Sequence, residues 1–147
     1  MNRISICACA VLAALLVACN APRQTEQINL YQALGGEEGI DKLVDDILFG
    51  MLSNPKLRDS FGELSLADYP RFKYNFAQQL CELAGGPCRY TGPDMRAAHK
   101  GLKVTEEQFD ESGRVIAQAM LDNGVPQAAR KAILQKMAAM APEIVGQ

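Results

Sequence analysis

His99, in the stretch DMRAAHKGL from Asp94 to Leu102, is the only histidine of the 147-residue chain. A neutral imidazole nitrogen is a good donor to a transition metal, which makes this side chain the first candidate for chemistry. Helix formers before it and Gly101 two residues after it suit an ordinary core or surface histidine equally well. Cys81 and Cys88 form the second candidate pair. In CELAGGPC they stand either as a disulfide closing a short loop or as two partly buried thiols, and spacing alone leaves both readings open. No glycine-rich phosphate loop is present, and no strand alternation long enough to carry one.

The N-terminal residues read as an address. Met1, Asn2 and the basic Arg3 precede the apolar run ISICACAVLAALLVA, which meets Cys19. The run is short of the roughly 20 residues a membrane span needs, and its flanks follow the order of a secretory signal. LVAC, Leu16 to Cys19, resembles a bacterial lipobox. That resemblance implies a signal peptide over 1–18, lipidation of Cys19, and anchoring on the periplasmic side of the envelope. Asn20 at the following position favours the outer membrane over the inner. Residues 19–29, polar and aperiodic, suit a flexible tether, and 30–147 has the length of one domain. Loss of Arg3 leaves one fewer than the chain's 15 basic residues against 17 acidic ones, a net charge of about −3. Such a balance offers no basic patch for nucleic acid.

The elements that must position His99 and the cysteines are helices. Ile40, Leu43, Val44, Ile47, Leu48 and Met51 follow the i, i+3, i+4, i+7 rule, and Pro55 in SNPKL stops the run. Pro70 opens a second helix whose Phe72, Phe76, Leu80 and Leu83 share a face until AGGP breaks it. TEEQ, Thr105 to Gln108, is a capping-box pattern that starts a third helix along Phe109, Gly113, Ile116 and Met120. Asn123 and Gly124 end it, and Pro126 begins a last helix carrying Ile133, Leu134, Met137, Met140 and Ala141. The expected body is four main helices plus a short helical piece around His99. The doublets Gly35-Gly36 and Gly85-Gly86 sit at junctions where positive φ is expected.

LYQALGGEEGIDKLVDDILFGMLSNPKLRDSF, followed by LAGGPCRYTGPDMRAAHKGLKVTEEQFD, resembles the group 1 truncated haemoglobins from Leu30 to Val145. The most specific parts are the glycine doublet after LYQAL, the NPKLRDSF turn and GGPCRYTGPDMRAAH, which occur in the family's order. The resemblance implies an all-α fold, a two-over-two helical sandwich enclosing a b-type haem (iron protoporphyrin IX). His99 is then the proximal ligand and the metal-binding residue, with Met95 one turn earlier under the same haem face. Phe61 matches the family's haem-stacking phenylalanine, and Leu80 belongs to the apolar wall. Tyr90 and Arg96, with Arg89 nearby, become candidates for meeting the propionates.

On the distal side the chain departs from the family. Counting from Pro55 and Phe61 puts Leu48 where many members carry a tyrosine that donates a hydrogen bond to the gas ligand. Counting from Gly85-Gly86 puts Phe72 and Phe76 at the glutamine-type helper positions. The two counts use separate anchors, because the segment between Phe61 and Phe72 is slightly longer than expected. Tyr74 should face away from the iron, whereas Asn75 and Gln79 lie nearer the haem face. The function implied is reversible binding of oxygen, nitric oxide or carbon monoxide. Alternatives from other classes are a haem-free helical lipoprotein acting as a binding or structural module, and a nitric oxide dioxygenase served by a reductase. A peroxidase would want a polar distal base, which Leu48, Phe72 and Phe76 do not provide. These residues do not decide whether the chain turns over a substrate.

Overall fold

The computed structural model describes residues 28–61 and 67–147. The signal segment, Cys19 and the tether up to residue 27 lie outside the described residues, and so does most of the segment whose length complicates the distal count. The described residues are helical, with no strand among them.

α1 (Leu30–Ala33) is capped by the side chain of Asn29, which accepts from the Gln32 amide. It turns into α2 (Gly36–Ser53) through Gly35 at φ 86°. A Cβ on Gly35 would stand 2.9 Å from the Cα of Gly39, and one on Gly39 would run into the Leu34 carbonyl, so the GGEEG spacing is what allows the two helices to meet. Glu37 and Glu38 in the first turn oppose the positive end of the helix dipole. The six periodic residues of α2, Ile40 to Met51, are the ones it buries. Removing each from water contributes about 1.5–3 kcal/mol.

After Pro55 a single turn, α3 (Arg58–Phe61), leads towards α4 (Tyr69–Leu83), with Pro70 in its first turn where the missing N–H is no loss. α4 closes with the Gly86 amide donating to the Cys81 carbonyl and that of Gly85 to Glu82, both 2.9 Å. Positive φ holds for Gly35, Gly36 and Gly85, but Gly86 departs from the expectation. What Gly86 needs is space: a Cβ there would lie 2.5 Å from the Tyr31 ring and 2.6 Å from the Cys81 sulfur.

α5 (Met95–His99) starts at Asp94, whose side chain accepts from the Ala97 amide. α6 (Glu106–Asp122) opens on the expected capping box, with Thr105 and Gln108 bonded reciprocally, and ends at Asn123 and Gly124. α7 (Gln127–Ala138) does not run on through Met140 and Ala141. The chain turns there and restarts as α8 (Ala141–Ile144), because Pro142 has no N–H to extend the α7 ladder and its ring clashes with the carbonyl four residues back.

α2 pairs with α4, α6 pairs with α7, and α2 lies across α6, giving two layers of two. Gly50 of α2 lets Val115 of α6 come so close that a Cβ would be 2.7 Å from its methyl. Polar ties span the same layers. Asn54 donates to Glu111 at 2.7 Å, and Asn123 donates to Asp46 at 2.7 Å while accepting from Lys42 at 2.6 Å. The Asn54 amide is the first cause of a Glu111 carboxyl held below its usual range.

Candidate functional site

His99 ends α5, four residues after Met95, so a helical turn brings its ring back over that residue's backbone. Nδ1 lies 2.8 Å from the Met95 carbonyl oxygen. With Nδ1 as the donor of that bond, Nε2 carries the lone pair that a metal requires. The ring is half-buried, and Met95 is half-buried beside it.

α5 packs against α8 and is held from several directions. On the α4 side, the Gln79 amide lies 2.9 Å from the Met95 sulfur and 3.7 Å from that of Met140. Towards α8, Arg96 donates to the Gln147 side chain at 3.0 Å. Just beyond α5, Lys103 adopts φ 51° and donates to the Gln147 carbonyl at 2.5 Å, while Gly146 donates to the Val104 carbonyl at 2.9 Å. This paired clasp holds a backbone conformation that a non-glycine residue adopts at a cost of about 1 kcal/mol or more.

Phe72, Phe76, Gln79 and Leu83 recur on α4 at intervals of four, three and four residues, and Gln79 shows that this stripe faces α5. Phe61 meets Phe72 edge to face with ring centroids 6.0 Å apart, and Phe72 lies 6.2 Å from Phe76. All three rings are only half-buried, whereas Leu48 and Leu80 are buried in the core. Tyr74 is 60% exposed, on the other side of α4 as expected. Asn75 is half-buried. Tyr90 donates its hydroxyl to the Pro93 carbonyl at 2.6 Å, and burial, then the nearby Asp94, pushes its pKa up. Arg89 is exposed. The structure thus brings together Met95, His99 and the α4 stripe, and it turns Tyr90 and Arg96 to partners within the chain.

The donor set fits an iron porphyrin. One imidazole has a nitrogen free and the other fixed, and half-exposed aromatic rings line the neighbouring helix. No group of three or more His, Cys, Asp or Glu that could chelate a bare ion occurs among the described residues.

Cys81 and Cys88 form a disulfide with Cα atoms 5.8 Å apart, which settles the alternative left open by their spacing. The bridge lines a cleft of about 270 Å³ on the face of α4 opposite the Phe72–Phe76 stripe, walled on the α2 side by Glu37, Ile40 and Asp41. This concavity is away from His99. Spacing had flagged neither the clasp at Gln147 nor the Tyr31–Gly86 contact, since both join residues far apart in the chain.

Residues 29–145 match the family described as bacterial-like globin. The chain is 29% identical to the group 1 truncated hemoglobin GlbN of Mycolicibacterium paratuberculosis over 122 residues, covering 83% of this chain and 88% of that one. It is 28% identical to the protein of the same description from Nostoc sp. over 111 residues, 76% of this chain and 92% of that one. The solved ferric truncated hemoglobin of Tetrahymena pyriformis superposes with a TM-score of 0.75 at 24% identity, over 80% of this chain and 98% of that one, a likeness of fold. The group II truncated hemoglobin of Bacillus anthracis superposes at 0.69 with 26% identity, over 83% of this chain and 94% of that one. The two-layer packing and the match along nearly the whole described body have one common explanation: the chain belongs to the bacterial-like globins, as a haem-binding globin of the truncated, two-over-two kind.

Proposed function

We propose that this globin binds diatomic gases reversibly at a b-type haem held by His99. The observation that carries the reading is the imidazole itself, with Nδ1 engaged by the Met95 carbonyl and Nε2 left to ligate iron. Haem, when bound, would supply a ferrous iron able to take up oxygen, nitric oxide or carbon monoxide. Phe61 would lie against the porphyrin, and Met95 and Leu80 would supply apolar contact. Phe72 and Phe76 would keep water from the gas site and offer no hydrogen-bond donor, and Leu48, buried in the core, offers none either. Arg96 or Tyr90 would reach a propionate only by exchanging its present partner, Gln147 or Pro93. With one histidine in the chain, coordination by two histidines of one subunit is excluded.

Reconstitution with hemin followed by visible spectra tests the reading. The full chain should develop a Soret band and bind carbon monoxide when reduced, and His99→Ala should lose the ligand-specific spectrum. A chain that stays colourless, or colours equally well without His99, overturns it and restores the haem-free module.

The globin is further proposed to be exported and lipid-anchored at Cys19, facing the periplasm from the outer membrane. LVAC supports this, and so does the Cys81–Cys88 bridge, since disulfides persist in oxidising compartments. Metabolic labelling with a fatty acid should mark the wild-type chain and not Cys19→Ser.

A further inference from the structure

The Cys81–Cys88 bridge sits where the chain leaves the helix bearing Phe72 and Phe76 and sets out for the helix bearing His99. Cys81 is buried in the core, 2% exposed, and Cys88 is half-buried. Between Cys88 and α5 the chain has no regular structure, and its local bonds are the Tyr90 hydroxyl to Pro93 and the Asp94 cap. Downstream, α5 is secured by the Lys103–Gln147 and Gly146–Val104 clasp. The segment carrying His99 therefore hangs between two fixings, one of peptide hydrogen bonds and one of sulfur. The sulfur fixing opens onto the cleft on the outer face of α4.

We propose that Cys81–Cys88 is a thiol-exchange site for a dithiol reductant approaching through that cleft, and that opening it loosens the attachment of α5 and so the hold on haem. A reductant thiolate attacks the more accessible Cys88 sulfur, forming a mixed disulfide as the Cys81–Cys88 bond breaks. Cys81 leaves as a thiolate and takes up a proton. The second reductant thiol then attacks the mixed disulfide, closing the reductant's own disulfide and releasing Cys88 as a thiol, with two electrons passed in all. The cleft selects among reductants by charge. Glu37 and Asp41 line it, while the Lys73 ammonium is committed to Asp45 at 2.7 Å. An anionic thiol such as glutathione is repelled, and a neutral or cationic dithiol is not. The effect on haem rests on the proposed ligation by His99; the effect on α5 does not.

The experiment compares the full chain oxidised, reduced with dithiothreitol and desalted without air, and as Cys81→Ser/Cys88→Ser, each checked for helicity by circular dichroism. Amide hydrogen exchange over residues 86–102 of the haem-free protein should rise on reduction and match the double variant. Release of hemin to an excess of apomyoglobin should quicken by about tenfold on reduction, and the double variant should ignore dithiothreitol. Glutathione should open the bridge more slowly than the uncharged monothiol 2-mercaptoethanol at equal thiolate concentration. Absence of a Soret band in both redox states would sink the haem reading and leave hydrogen exchange to decide the coupling. A Soret band with hemin release and exchange unchanged by reduction overturns the proposal, as does a bridge that resists dithiothreitol while the chain stays folded.

Discussion

At the scale of single residues, the proposed gas chemistry rests on what Leu48, Phe72 and Phe76 lack. A hydrogen bond to a partly charged gas ligand is worth about 1.5–3 kcal/mol, which separates slow oxygen release from fast release by one to two orders of magnitude. The expected behaviour is fast oxygen dissociation with a relative preference for carbon monoxide and nitric oxide. Phe76 is half-buried on the stripe that faces α5, so Phe76→Gln places an amide donor at that wall. Stopped-flow measurement should show oxygen dissociation slowed by about tenfold or more, with carbon monoxide nearly unaffected. Slow release in the wild type, sensitive to Asn75→Ala, would contradict this account. His99 could be singled out in the sequence because a motif surrounds it. The Arg96–Gln147 pairing could not, because its two members lie 51 positions apart and no local pattern announces it.

Helices were legible to the extent that their signals are local. Periodicity named every buried residue of α2, and TEEQ named the start of α6, because both act within a few residues along the chain. The single-turn α1, α3 and α8 escaped notice, since a run of four residues is too short to show a period. Pro142 is the signal that could have separated α8 from α7. The start of α6 also does more than cap itself, because the Gln108 amide reaches the Ser60 hydroxyl at 3.1 Å and ties α6 to α3, next to Phe61. Thr105→Ala is expected to cost about 1 kcal/mol. In urea titration this should lower the unfolding midpoint and leave the slope unchanged.

For the molecule as a whole, stability comes from one apolar core shared by both layers, with polar ties at its edge. Asp46 is the acidic member of the Lys42–Asp46–Asn123 tie between α2 and the end of α6. The hydrogen bond from Lys42, then that from Asn123, lowers its pKa from the ordinary carboxylate value. A lowered folded pKa adds stability above the unfolded value, and this is lost as pH falls through the folded one. The Asp46 side chain is 44% exposed, so solvent screening keeps the contribution small. Asp46→Ala should cost about 0.5–1 kcal/mol near neutrality. The difference from wild type should shrink to nothing below the usual carboxylate range, as read by urea unfolding at the two pH values. Such layer-spanning ties were not readable beforehand, because two helix faces must be docked before their polar edges can be matched.

The sulfur bridge also bears on biogenesis. It joins positions only seven apart, and loops of about that length close in roughly 10–100 ns. The two thiols therefore meet while the polypeptide is still unstructured. Oxidation has no need to wait for the cofactor, so the bridge can close before any iron porphyrin is bound.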